Sequence, residues 1–141
     1  MLDQRDAEDL VDRPVESPFK GKTGIVRVVR AFFYSMAGLA ASWKHESAFR
    51  QEVVLAAVMI PIACLVPVSP VERALLVATV LLVLVVELLN SSVEAAIDRI
   101  SNDHHPLSKR AKDAGSAAVF VSLVLCGVVW AILLGPLVLK L

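Results

Sequence analysis

Residues 114–139 form a run of 26 positions without a single charge. At ~1.5 Å per residue such a run outlasts the ~30 Å hydrocarbon core of a bilayer, so it predicts a transmembrane helix. Two further apolar runs, residues 53–68 and 74–86, predict spans of their own. The chain has 141 residues, 57% of them hydrophobic, and its mean hydropathy is +0.69. That is too apolar for an ordinary soluble domain. The expected fold class is an all-α membrane protein with one membrane domain over residues 24–141, behind a flexible acidic N-terminal extension of residues 1–23. Formal net charge is zero, which gives no case for a nucleic-acid partner. The first 24 residues hold no apolar core of a signal peptide. Cys64 and Cys126 both sit in apolar runs and are expected to be buried small hydrophobes, not a disulfide.

The spans differ in character. Over residues 24–43, Ile25, Val28, Val29, Phe32, Phe33, Met36, Leu39 and Trp43 recur at three- and four-residue steps, with Arg27, Arg30 and Lys44 as cations. This is the pattern of an amphipathic helix lying at a membrane surface, expected over residues 24–47. A polar hinge, residues 45–52, follows. The first apolar run, 53–68, is short for a bilayer and must borrow length from that hinge, with Arg50 and Glu52 reaching to the headgroups; the span is expected over about 50–67. Ser69-Pro70-Val71-Glu72 has the form of a capping box, so a second span starts at Pro70 and runs to about Ile100. Residues 101–108 form a polar turn, and the third span is expected over 107–139, with Gly135-Pro136 bending or ending it. Ala111, Gly115 and Val119, flanked by Ala114 and Ala118, offer a small-residue face for close helix packing. Basic residues cluster before the first span and between the second and third, which predicts a cytoplasmic N-terminus.

The second span leaves the apolar pattern at its lower end. Glu87, Glu94 and Asp98 fall within roughly 20° of one helical line, and Asn90 about 60° to one side. Carboxylates on a membrane helix face a protein interior or water. The predicted topology brings this stripe to the cytoplasmic face together with Glu46 and the pair Lys112-Asp113. Acids with an Asn and a Lys suit an Mg²⁺–phosphate site, and the deeper Glu87 is placed to take a proton from a lipid hydroxyl. The same residues also fit a proton or ion pathway, or a structural network in which Arg73, Arg99 or Lys112 pairs with the acids. His104-His105 lacks a third ligand at suitable spacing and is expected in a surface loop.

Glu87-Leu88-Leu89-Asn90-Ser91-Ser92-Val93-Glu94, then Asp98-Arg99-Ile100 and Lys109-Arg110-Ala111-Lys112-Asp113-Ala114-Gly115-Ser116, resemble the integral-membrane diacylglycerol kinases of bacteria. The segment Glu46-Ser47-Ala48-Phe49-Arg50-Gln51-Glu52 matches as well. The resemblance covers roughly residues 24–134. It implies a homotrimer in the bacterial inner membrane, three spans and a surface helix per subunit, and transfer of the ATP γ-phosphate to 1,2-diacylglycerol with Mg²⁺. By matching positions it implies Glu87 as catalytic base and Glu46 and Glu94 as metal ligands. It implies ATP contacts by Arg27, Tyr34, Glu46, Glu94, Asp103, His104, His105, Lys112 and Asp113. Lipid contacts would come from Arg27, Ser35, Trp43, Ala48, Phe49, Arg50, Gln51, Glu52, Glu87 and Ser116, with Asn90 and Asp98 in support. His104 departs from the aromatic residue of the family pattern. A related branch phosphorylates undecaprenol. A proton-coupled transporter subunit is the rival outside the kinase class.

Overall fold

The structure is a computed structural model that describes residues 24–100 and 105–139. The expected N-terminal extension, Asp103 and His104 lie outside the described residues. Four helices make up the described chain: α1 (Ile25–His45), α2 (Ser47–Leu65), α3 (Pro70–Ile100) and α4 (Pro106–Val138). All four are long and apolar enough to cross a membrane. Length and composition therefore do not separate α1 from the other three.

The chain divides into two units within α1, at Ala37/Gly38. The described part of the first unit is the stretch from Gly24, whose φ of 93° lies in the left-handed region that glycine tolerates, through the first turns of α1. Arg27, Tyr34 and Ser35 stand here, all exposed, and the Ser35 hydroxyl donates to the Ala31 carbonyl at 3.0 Å. No residue of α1 is buried.

The second unit begins in the last turns of α1 and holds α2, α3 and α4. The expected hinge over residues 45–52 is reduced to one residue. Glu46 alone leaves the helical conformation (φ −106°, ψ 113°), and α2 starts at Ser47. Helix α2 thus extends the apolar run 53–68 backward through residues 47–52. Arg50 is bonded at the end of α1. Its Nη1 donates to the carbonyls of Trp43 at 3.0 Å and Lys44 at 3.3 Å, the orphan acceptors at the end of α1. Phe49, buried, fixes the first turn of α2.

At the opposite end the capping box forms as expected. The Ser69 N–H donates to Glu72 Oε2 at 2.7 Å, and the Glu72 N–H donates to Ser69 Oγ at 3.3 Å. Both satisfy donors that a helix start leaves orphaned. Among the described residues Arg73 pairs with no acid; its Nη2 donates to the Val66 carbonyl at 3.2 Å and so ties the turn to α3.

Helix α3 is the centre of this unit, packed on α4 and, less extensively, on α2. Its buried residues Leu76, Thr79, Val80, Val83, Glu87 and Ser91 follow helical periodicity. Ala56, Val80, Val83 and Cys126 form the apolar centre, with Met59, Ile60, Leu84 and Trp130 against it. Cys64 is exposed, contrary to the sequence expectation, because it lies beside rather than on the Ala56–Ala63 face that α2 buries; neither cysteine is bonded. Contact partners run in opposite directions along α3 and α4: Leu76 with Trp130, Asn90 with Gly115, Asp98 with Lys112. The two helices are therefore antiparallel.

Helix α4 starts at Pro106, one residue before the expected 107. His105 is its N-cap, with Nδ1 accepting from the Leu107 N–H at 3.2 Å. Helix α4 also passes through Gly135-Pro136 to Val138. A proline there forfeits one backbone bond, to the carbonyl four residues back, without ending the helix. The small-residue face is only partly used: Gly115 and Val119 are partly buried, while Ala114 and Ala118 are exposed.

A candidate active site at the lower end of α3

Glu87 continues the buried stripe of α3. It follows Val80 and Val83 at helical spacing and is only 4% exposed. The charges of Glu94, two turns further along the same helix, and of Glu46 at the α1–α2 corner are felt at Glu87, and that of Glu87 is felt at Glu52 of α2. Glu46, Glu52 and Glu94 thus lie within electrostatic reach of Glu87. Glu52 Oε2 is buried and finds no hydrogen-bond partner among the described residues.

Each acid has a distinct local situation. Glu46 is the N-cap of α2, yet its side chain makes no capping bond. Its carboxylate is therefore not consumed by the helix start. Glu94 accepts from the Asn90 amide, Nδ2 to Oε1, at 3.1 Å. Neither Glu46 nor Glu94 belongs to an ion pair among the described residues. Both remain available as hard oxygen donors, the type that Mg²⁺ takes. Among the described residues no three His, Cys, Asp or Glu side chains gather into a ready-made metal site. Two carboxylates completed by phosphate oxygens satisfy the cation without a third.

Asp98 is committed differently. It lies 2.5 Å from Lys112 Nζ, an ion pair between α3 and α4. The structural-network alternative for the acids is thus realised at this one residue. Asp113 pairs with Lys109, also at 2.5 Å, one turn back on α4. Both pairs are solvent-exposed, where a change of partner costs little. Trp43, Ala48, Gln51 and Ser116 are exposed, and Phe49 is buried.

Two features escaped the sequence reading. Ser91, buried four residues after Glu87, lies on the same face; helical spacing alone was signal enough to find it. Gly115 is more than a small residue at a helix contact. A Cβ there would collide with Asn90 Oδ1. That oxygen is buried and has no hydrogen-bond partner among the described residues, a situation that costs about 1–3 kcal/mol.

Membrane-length helices, one of which buries a carboxylate at Glu87, define a multi-pass membrane protein. The profile of the prokaryotic diacylglycerol kinase family matches residues 33–134. The chain belongs to that family. A diacylglycerol kinase of Pseudomonas aeruginosa is 58% identical over 84% of this chain and 98% of its own length. The diacylglycerol kinase of Escherichia coli K12 is 47% identical over 79% of this chain and 92% of its own. That of Helicobacter pylori strain 26695 is 43% identical over 89% and 97%. Arg27 precedes the residues matched by the family profile; Tyr34, Ser35 and every site residue of the second unit fall within them.

Proposed function

We propose that the protein is a membrane lipid kinase that transfers the γ-phosphoryl group of ATP to the free hydroxyl of 1,2-diacylglycerol, giving phosphatidic acid and ADP. The observation that carries this reading is the burial of Glu87 within electrostatic reach of Glu46, Glu52 and Glu94, in a chain whose relatives are named diacylglycerol kinase. A carboxylate at the end of an apolar helix is where an interfacial lipid hydroxyl meets a water-borne phosphate.

In the reaction, Glu87 accepts the hydroxyl proton as the lipid oxygen forms its bond to Pγ. The bond from Pγ to the bridging oxygen breaks, and ADP leaves with that electron pair. Glu46 and Glu94 hold the Mg²⁺–ATP complex, and the cation supplies charge neutralisation for the phosphates. Asn90 steadies Glu94. Lys112, Asp113 and His105, with Asp103 and His104, hold the nucleotide, and exchange of Lys112 from Asp98 to a phosphate is supported by the exposure of that pair. Trp43, Ala48, Phe49, Arg50, Gln51, Glu52 and Ser116 flank the lipid. The family resemblance alone adds ATP contacts by Arg27 and Tyr34 and lipid contacts by Arg27 and Ser35.

Helix α1 lies at the cytoplasmic surface and α2, α3 and α4 span the bacterial inner membrane. The cations Arg27, Arg30, Lys44, Arg50, Lys109, Arg110 and Lys112 then fall on the cytoplasmic side. Three copies assemble so that the site is closed by a neighbouring subunit; a chain of 15.2 kDa, with four helices among its described residues, encloses little by itself.

The test is radiolabelled ATP with purified protein in mixed micelles containing either diacylglycerol or undecaprenol. Labelled phosphatidic acid is the expected product. Product with undecaprenol alone moves the protein to the sister activity. Proton or solute flux in proteoliposomes without ATP, and no labelled lipid, replaces the kinase reading with a transporter.

A further inference from the structure

Asn90 is held between two helices by contacts of opposite kind. Its Nδ2 donates to Glu94 Oε1 at 3.1 Å, along its own helix. Its Oδ1 is buried against α4 in the volume that any side chain at position 115 would fill, with no hydrogen-bond partner among the described residues. A free carboxamide would not choose this arrangement, because an unpartnered buried oxygen is penalised. Turning the amide over would set Oδ1 against the Glu94 carboxylate, oxygen to oxygen, which is worse. The gap at Gly115 is what lets the amide keep its donor on Glu94.

The register strengthens the point. One α3–α4 contact, Asn90 with Gly115, lies above Glu94, and another, Asp98 with Lys112, lies below it. Glu94 is bracketed between them, and among the described residues its Oε1 is anchored through Asn90 alone. We infer that Gly115 is a positioning residue: its missing side chain seats Asn90, and Asn90 in turn fixes the Glu94 carboxylate for the metal–ATP complex. This rests on the proposed role of Glu94. Groups that orient a metal ligand from outside typically shift metal affinity by about 10–100-fold when altered.

The experiment compares Gly115→Ala, Asn90→Ala, the double variant and Glu94→Gln, with Gly127→Ala as control. A Cβ at Gly127 on the same helix meets nothing within 4 Å. Binding of Mn²⁺ with a non-hydrolysable ATP analogue, followed by electron paramagnetic resonance, is read beside the KM values for Mg·ATP and for lipid. Gly115→Ala is expected to weaken Mn²⁺ binding and raise the KM for Mg·ATP, each by about tenfold. The KM for diacylglycerol should change less than about twofold, and Gly127→Ala should match the parent. In the Asn90→Ala background the collision is relieved, so adding Gly115→Ala should cost little more, the signature of two residues acting as one unit. Additive losses, or a fall in kcat with both KM values unchanged, overturn the inference and leave Gly115 as helix packing. Unchanged Mn²⁺ binding in Glu94→Gln instead overturns the metal role of Glu94, a separate result.

Discussion

Lys112 Nζ stands 2.5 Å from Asp98 Oδ1, across the antiparallel contact of α3 and α4. The lysine is 38% and the aspartate 57% exposed, so the pair is worth about 0.2–1 kcal/mol. Asp98→Asn is therefore expected to lower thermal stability in detergent by no more than that. Lys112→Met removes the same pair and also the cation proposed for the phosphates. Its KM for ATP should rise by a further factor of about ten, equivalent to about 1.4 kcal/mol. Equal KM values for the two variants would confine Lys112 to a structural role.

Glu87→Gln keeps the shape of the side chain and removes its ability to accept a proton. Turnover should fall by about 10²–10⁴-fold while assembly and thermal midpoint stay near those of the parent. Steady-state kinetics beside size-exclusion chromatography decide it. A variant that turns over near the parental rate rules out Glu87 as the base.

Arg50 Nη1 bridges the Trp43 and Lys44 carbonyls and so sets the corner at which Glu46 stands. Arg50→Met leaves both acceptors without that partner, at a cost of about 1 kcal/mol. The KM for Mg·ATP is expected to rise more than kcat falls, because Glu46 loses its fixed position. Arg50→Lys should restore part of it, since an ammonium still reaches a helix end but lacks the planar fork. A loss confined to lipid affinity would limit Arg50 to its place beside the lipid and remove its part in setting Glu46.

Trp130 Nε1 donates to the Leu76 carbonyl at 3.2 Å, where the Thr79 hydroxyl also donates at 3.0 Å. Leu76 precedes Glu87 on α3 by ~16 Å of helical rise. Trp130→Phe should lower stability by about 0.5–1.5 kcal/mol and leave kinase kinetics unchanged. Thermal unfolding and turnover measured on one preparation separate these effects; a kinetic change would mean that α3 transmits strain along its length.

Much of the fold was legible before any coordinates. Hydropathy and capping are local: the Ser69–Glu72 box sets the start of α3 at Pro70 because both partners lie within one turn. The stripe of Glu87, Asn90, Glu94 and Asp98 follows from helical spacing alone. The extent of the hinge was misjudged, because polar residues after His45 suggested a loop. Their side chains and the needed span length favour helix from Ser47 onward, with only Glu46 extended. Likewise Pro136 suggested an end that α4 does not take, because loss of one backbone bond leaves the other turns intact.

The sequence by itself determined the membrane class, the helices and the face on which the acids stand, since each depends on residues a few positions apart. Only the tertiary structure decided what each acid does with its charge. Asp98 is paired with Lys112, Glu94 is held by Asn90, Glu46 is left free of its capping role, and Glu87 is buried. Those outcomes depend on which helices meet and in what register. A glycine on α4 opposite an asparagine on α3 has no local signature, and its consequence exists only once the two backbones are close.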